Sequence, residues 1–122
     1  MPSRSGFSRG DKVRKAMMRE VSDIIRGELN EPALVNEVIS VTDVVISPDN
    51  RHAKVFVSIL GDDEKRETIM AVLIESQSKI RQHVGQRVRL RYTPEIEIRY
   101  DDSLERGSRV TDLLNQISKG EV

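Results

Sequence analysis

The hydrophobic period of this chain switches between helical and alternating, and that switching limits what it can fold into. From Ala53 to Ile59, Ala53, Val55, Val57 and Ile59 alternate with Lys54, Phe56 and Ser58. A period of two assigns a β-strand with one buried face and one more polar face. Upstream, Val13, Met17, Val21, Ile24, Ile25 and Leu29 recur at steps of three and four. That spacing gathers them into one stripe on a helix from Gly10 to about Leu29. Asn30-Glu31-Pro32 ends it, because proline disfavours the helical state in the residue before it.

Between these two segments, Val38 to Ser47 is rich in valine and isoleucine and closes on Ser47-Pro48-Asp49-Asn50, which is turn chemistry. Ile39 and Val41 share one phase, Val44 and Ile46 the other, so a bulge is expected near Thr42-Asp43. The two strands read as a hairpin. After Leu60-Gly61, Asp62 and Asp63 open a helix with an acidic first turn, whose inner face is Ile69, Val72 and Leu73. The pattern breaks at Ser76-Gln77-Ser78, where Ser78 is expected to cap a short second helix carrying Ile80 and Val84, with Gly85 as its stop.

The longest alternation comes next. Val88, Leu90, Tyr92, Ile96, Ile98 and Tyr100 all occupy even positions, and Pro94 assigns this strand to a sheet edge. On this reading Tyr92 and Tyr100 face the core. Val110, Leu113, Leu114 and Ile117 then form a last helical stripe ended by Gly120. The order is α-β-β-α-α-β-α. A hairpin makes the first two strands antiparallel, and a right-handed helical crossover makes the second and third parallel. The fold class is therefore α+β, a mixed three-stranded sheet with helices on one face. The 122 residues suffice for one domain, expected over 9–118, with an N-terminal arm at 1–8 and a tail at 119–122.

Several chemistries are poorly supplied. With no cysteine, disulfides, thiol nucleophiles and thiolate-bound zinc are excluded. His52 and His83 match no metal spacing and read as surface or turn residues. No apolar run is long enough to span a bilayer, and the opening Met-Pro-Ser-Arg-Ser-Gly-Phe lacks the apolar stretch of a secretory signal. A cytoplasmic domain without cofactor or metal is expected.

The 20 basic and 20 acidic residues cancel to a net charge of zero, which taken alone argues against nucleic acid. The distribution is uneven. Residues 79–91 carry five basic and no acidic groups, and residues 1–27 carry seven basic and three acidic. Residues 28–50 carry five acidic and no basic groups. On a strand, Arg87, Arg89 and Arg91 share the face opposite Val88, Leu90 and Tyr92, a row suited to forked bonds with phosphates. Lys79 and Arg81 on the preceding helix, with Lys54 and Phe56 on the neighbouring strand, extend this set. A charged edge strand that merely discourages aggregation fits the same residues. Arg9, Lys12, Arg14, Lys15 and Arg19 make a second basic group, equally readable as a solvated helix face. Glu95 and Glu97 on one strand face, followed by Asp101 and Asp102, raise a metal-assisted nuclease site. No nucleophile, glycine loop or histidine accompanies them, and an acidic surface is the plainer reading.

Two stretches carry a family resemblance. One is Pro94-Glu95-Ile96 followed by Tyr100-Asp101-Asp102-Ser103-Leu104, Gly107 and Leu113-Leu114. The other is Ser47-Pro48-Asp49 through Ala53-Lys54-Val55-Phe56-Val57, and Arg9, Val13 and Glu28-Leu29 of the first helix agree with it. In order and spacing, over about residues 7 to 118, the chain resembles the ribosome-binding factor A family. The resemblance implies a type II KH-like domain without the glycine-rich loop of ordinary KH modules and without catalytic activity. It implies binding to the free, immature 30S small ribosomal subunit, help in late maturation and 5′-end processing of 16S rRNA, and a link to growth in the cold. It also implies ribosomal proteins and other assembly factors as further partners, no membrane, and a monomer. The family's alanine-x-glycine kink between the central helices is replaced here by Ser76-Gln77-Ser78. Serine stays small but lacks glycine's access to positive φ. An adaptor that meets basic ribosomal proteins through its acidic segments 28–50 and 92–106 is the alternative.

Overall fold

The computed structural model describes residues 9–103. Its elements run α1 (Arg9–Gly27), a 3₁₀ turn (Pro32–Leu34), β1 (Ile39–Ile46), β2 (His52–Ile59), α2 (Asp63–Glu75), α3 (Gln77–Arg87) and β3 (Glu95–Tyr100). The expected arm at 1–8, the last helix around 110–117 and the tail lie outside the described residues.

The stripe on α1 buries Met17, Val21, Ile24 and Ile25, with Leu29 just beyond the helix. After Gly27 the chain turns through Asn30, at φ 54°, a left-handed conformation that asparagine tolerates. β2 buries Ala53, Val55, Val57 and Ile59, against which Ile69 and Leu73 of α2, Ile80 and Val84 of α3, and Ile96 and Ile98 of β3 close one core. Each fully buried branched side chain contributes about 1.5–3 kcal/mol relative to exposure.

The sheet order is β1-β2-β3, with β1 antiparallel and β3 parallel to β2. The central position of the alternating strand and both pairings agree with the sequence pattern. The register slips between Val41, opposite Val57, and Asp43, opposite Phe56. Thr42 is the extra residue, which locates the expected bulge. The Ser47–Asn50 turn is fixed by Asp49: Ser47 Oγ donates to its Oδ1 at 2.6 Å and the Arg51 N–H at 3.0 Å. At the β2–α2 corner Gly61 takes φ 148°, a region side chains avoid. Asp62 then caps α2 by accepting from the Lys65 N–H at 2.8 Å.

Three local expectations are corrected. Ser78 does not cap α3. The junction is Ser76, at φ −90° and ψ 2°, buried, with Oγ donating to the Val72 carbonyl at 2.8 Å. Ser78, at the position the resemblance gives to glycine, lies within α3 and has no positive φ, so serine serves there. Gly85 does not stop α3, which continues to Arg87; a Cβ at Gly85 would meet Thr93 Oγ1 at 3.0 Å, so the bare glycine admits the returning chain.

The third correction is larger. The alternation from Val88 to Tyr100 is not one strand, because only Glu95–Tyr100 pairs. The parallel ladder begins at His52 opposite Glu95, and before His52 the chain is occupied in the β1–β2 turn. Residues 88–94 therefore have no partner strand. Val88 and Leu90 still pack against the core, whereas Tyr92 stands out from it at 64% exposure.

Candidate nucleic-acid interface

The loss of that strand redistributes the basic residues. Arg87 belongs to the last turn of α3 and bridges to α1, with Nη2 2.9 Å from Glu28 Oε1 and Nη1 3.5 Å from Glu20 Oε1. Arg81 turns its guanidinium onto the Thr93 carbonyl, donating from Nε at 3.2 Å and Nη2 at 3.0 Å. Both hold the protein together. Arg89 and Arg91 lie in the 88–94 segment, exposed and, among the described residues, without an ion pair. Lys79 is exposed in the first turn of α3. The row of three arginines on one strand face is not formed.

A different assembly replaces it. α1 runs beside the 87–89 stretch, so that Lys12 and Arg19 share a shallow groove with Arg87 and Arg89. The two basic groups that are remote in sequence thus meet on one surface, together with Glu20, which lies 3.5 Å from Arg19 and from Arg87. Arg14, further round α1, pairs with Asp43 of β1 at 2.9 Å, and Lys15 is exposed on the same helix. Arg9 opens α1. Missing from the sequence pattern was any sign that residues 12–19 and 87–91 meet, because this depends on how α1 and α3 pack.

On the other side of the 88–94 segment, the described residues enclose an open cleft of about 1180 Å³ between the start of α1, the β1–β2 turn and Arg89–Tyr92. Arg14, Arg89, Arg91 and Tyr92 reach its wall, and Asp49 stands on its lip. The hydrogen bond from Ser47, then that from the Arg51 N–H, holds the Asp49 carboxyl below its ordinary range.

Lys54 and Phe56 lie elsewhere, on the face of the sheet that carries none of the described helices. Their register partners on β3 are Glu97 and Arg99, which pair with one another, and His52 is 3.5 Å from Glu95. That face is mixed in charge, so Lys54 is not joined to Arg89 and Arg91 as expected. His83 approaches Glu28 at 4.0 Å. The acidic run is also engaged: Asp101 accepts from Thr42 Oγ1 and from the Ser103 N–H. Among the described residues no three histidine or acidic side chains are gathered so as to hold a metal ion, and no helix is long and apolar enough to cross a membrane.

Ser76-Gln77-Ser78 contributes structure first. The Gln77 side-chain carbonyl accepts from the Ile98 N–H at 2.8 Å, joining the α2–α3 bend to β3. Ser78 is exposed one residue further on.

The element order and mixed sheet define a KH-like α+β domain of the type II arrangement, stabilised by a single core. Residues 9–114 match the sequence model of the family described as Ribosome-binding factor A. The chain is 45% identical over 113 residues to ribosome-binding factor A of Caldicellulosiruptor bescii, covering 92% of this chain and 86% of that one. It is 45% identical to that of Halothermothrix orenii, covering 93% and 91%. In Gloeobacter violaceus the identity is 46% over 107 residues, covering 87% and 83%. The crystal structure of ribosome-binding factor A from Thermus thermophilus superposes with a TM-score of 0.64 at 20% identity, over 77% of this chain and 97% of that one. A Thermus thermophilus homology model fitted into the cryo-EM map of a 30S-RBFA complex superposes with a TM-score of 0.55 at 20% identity, over 76% and 91%. This chain belongs to the ribosome-binding factor A family.

Proposed function

We propose that this protein is a non-enzymatic assembly factor of the cytoplasm. Its domain, residues 9–118, binds the free, immature 30S subunit as a monomer and assists late maturation and 5′-end processing of 16S rRNA. Family membership supports this reading, as does the fitting of one structural relative, that of Thermus thermophilus, into the map of a 30S-RBFA complex. The observation that carries it is the convergence of Lys12 and Arg19 with Arg89 beside the exposed Arg91. Such a surface meets a phosphate backbone, and binding of this kind weakens steeply with salt. Lys15, exposed on α1 between Lys12 and Arg19, adds to it, whereas Lys79 at the start of α3 would be a separate contact. Arg81 and Arg87 contribute indirectly, by fixing the segment that carries Arg89 and Arg91.

Sedimentation with free small subunits, compared with assembled ribosomes over a salt series, tests the reading. Co-sedimentation with the free subunit is expected, and it is expected to fall in the Arg89→Glu/Arg91→Glu protein. Retention of binding by that folded variant overturns the RNA contact. Purified protein is expected to leave precursor RNA uncut in the presence of magnesium.

A second reading has its own observation. Val35, Val38 and Leu60 are exposed, and the Leu60 N–H donates to the Val38 carbonyl at 3.0 Å. Asp62 and Asp63 lie beside them, exposed, while Glu37 pairs with Lys65 at 3.2 Å and Asp63 with Arg66 at 2.8 Å; an apolar spot with a partly acidic margin can meet a basic ribosomal protein. Subunit association that resists RNase favours this adaptor role.

A further inference from the structure

Tyr92 is the aromatic residue whose position departs most from its hydrophobic pattern, and its surroundings suggest a use. The ring is exposed on the wall of the cleft, and Arg89 and Arg91, which precede it in sequence, reach the same wall. We infer that this cleft receives single-stranded RNA, one unstacked base lying on the Tyr92 ring with its flanking phosphates on Arg89 and Arg91. The inference deepens the proposed RNA contact, and rests on it.

Four features carry it. First, an exposed ring beside cations is the combination that single-stranded RNA uses, through base stacking and phosphate pairing. Inside a duplex the base faces are covered, so this arrangement selects unpaired nucleotides. Second, the platform is fixed before binding. Arg81 holds the Thr93 carbonyl, Thr93 abuts Gly85, and Pro94 is buried. Ordering the segment therefore costs little on association.

Third, the cleft of about 1180 Å³ is somewhat larger than ordinary small-ligand pockets, which leaves room for a nucleotide together with its flanking phosphates. Fourth, the cleft runs along the outer edge of β1. The Ser47 N–H donates inward to the His52 carbonyl at 2.9 Å, so in an antiparallel ladder the N–H and C=O of Ile46 point outward. Those groups supply hydrogen bonds for a base edge. The nearby carboxylates Asp43 and Asp49 are committed to Arg14 and to the turn.

The test uses the full chain, a fluorescein-labelled single-stranded RNA about ten nucleotides long and a duplex of the same length. Anisotropy is expected to show tighter binding of the single strand. Tyr92→Ser is expected to weaken that binding by about tenfold, as loss of one stacked base does. Because the chain has no tryptophan and two tyrosines, its own emission reports on the ring. Unlabelled RNA should quench the wild-type protein and leave Tyr92→Phe, whose remaining emission comes from Tyr100, unquenched. Absence of single-strand binding by the wild type, preference for the duplex, or an unchanged affinity in Tyr92→Ser overturns the inference. Subunit sedimentation of the same proteins separates the two levels. If the wild type still sediments with small subunits, only the stacking site falls; if it does not, the ribosomal role falls instead.

Discussion

Thr42 Oγ1 donates a 2.6 Å hydrogen bond to Asp101 Oδ2, joining the bulge in β1 to the residue that follows β3. The same hydroxyl lies 3.3 Å from the Phe56 carbonyl of the intervening strand. A bulge thus does more than re-phase β1: it ties the two outer strands over the central one. Replacing Thr42 with valine keeps the branched shape and removes the hydroxyl. A loss of about 0.5–1.5 kcal/mol is expected, read as a lower urea midpoint with unchanged slope.

The arginines divide into two classes, and variants should separate them. Arg81→Ala and Arg87→Ala are expected to lower the thermal midpoint. The Arg87 pairs are partly exposed, so each is worth no more than about 1 kcal/mol. Arg89→Gln and Arg91→Gln should leave the midpoint unmoved. Each should instead reduce the slope of log affinity for RNA against log salt by about one. Paired melting curves and salt titrations on the four variants check this division.

Gln77→Ala removes the acceptor of a partly buried N–H. The expected cost is about 1–3 kcal/mol, concentrated at Ile98. Hydrogen exchange of the Ile98 amide should accelerate relative to the amides of β2.

Asp49 supplies a pH dependence. Its carboxyl is held below the ordinary range, first by the Ser47 hydroxyl and then by the Arg51 N–H. A depressed carboxylate adds stability that is present above its unfolded-state pKa and is lost as pH falls through the lower folded-state value. The β1–β2 turn is therefore expected to loosen in acid. A carbon-detected NMR titration of Asp49 should move toward the ordinary carboxylate value in Ser47→Ala. An unchanged titration counts against the hydrogen-bond cause.

Leu73 tests the core, being fully buried where α2 packs on the sheet. Leu73→Ala is expected to cost about 2–5 kcal/mol, measured by chemical denaturation.

Periodicity made most of the architecture legible. The alternation of Val55 and Val57 identified the central strand, and the phase change around Thr42 located the bulge. It misled at Val88–Tyr92, because alternation records which residues can turn inward but not whether a partner strand runs alongside. There the β1–β2 turn had used up the available ladder, and Tyr92 faced outward. Residue type announced the charge at Arg81, Arg87, Arg89 and Arg91 but not its employment. Only the fold reveals that Glu20, Glu28 and the Thr93 carbonyl claim two of the four. Likewise, nothing in the chain order announces that Lys12 and Arg19 lie beside Arg89, since this depends on how α1 and α3 pack.

The contact between Gln77 and Ile98 has a consequence for how copies of this protein behave together. Among the described residues β3 is an outer strand, and its outward amides are where a neighbouring chain would join the sheet. With the Ile98 N–H already taken by Gln77, and Glu97 and Arg99 flanking it, a visiting strand must first displace a side chain anchored in the helical bend. The junction between two helices thus acts as a guard against self-association at a site some twenty residues away along the chain.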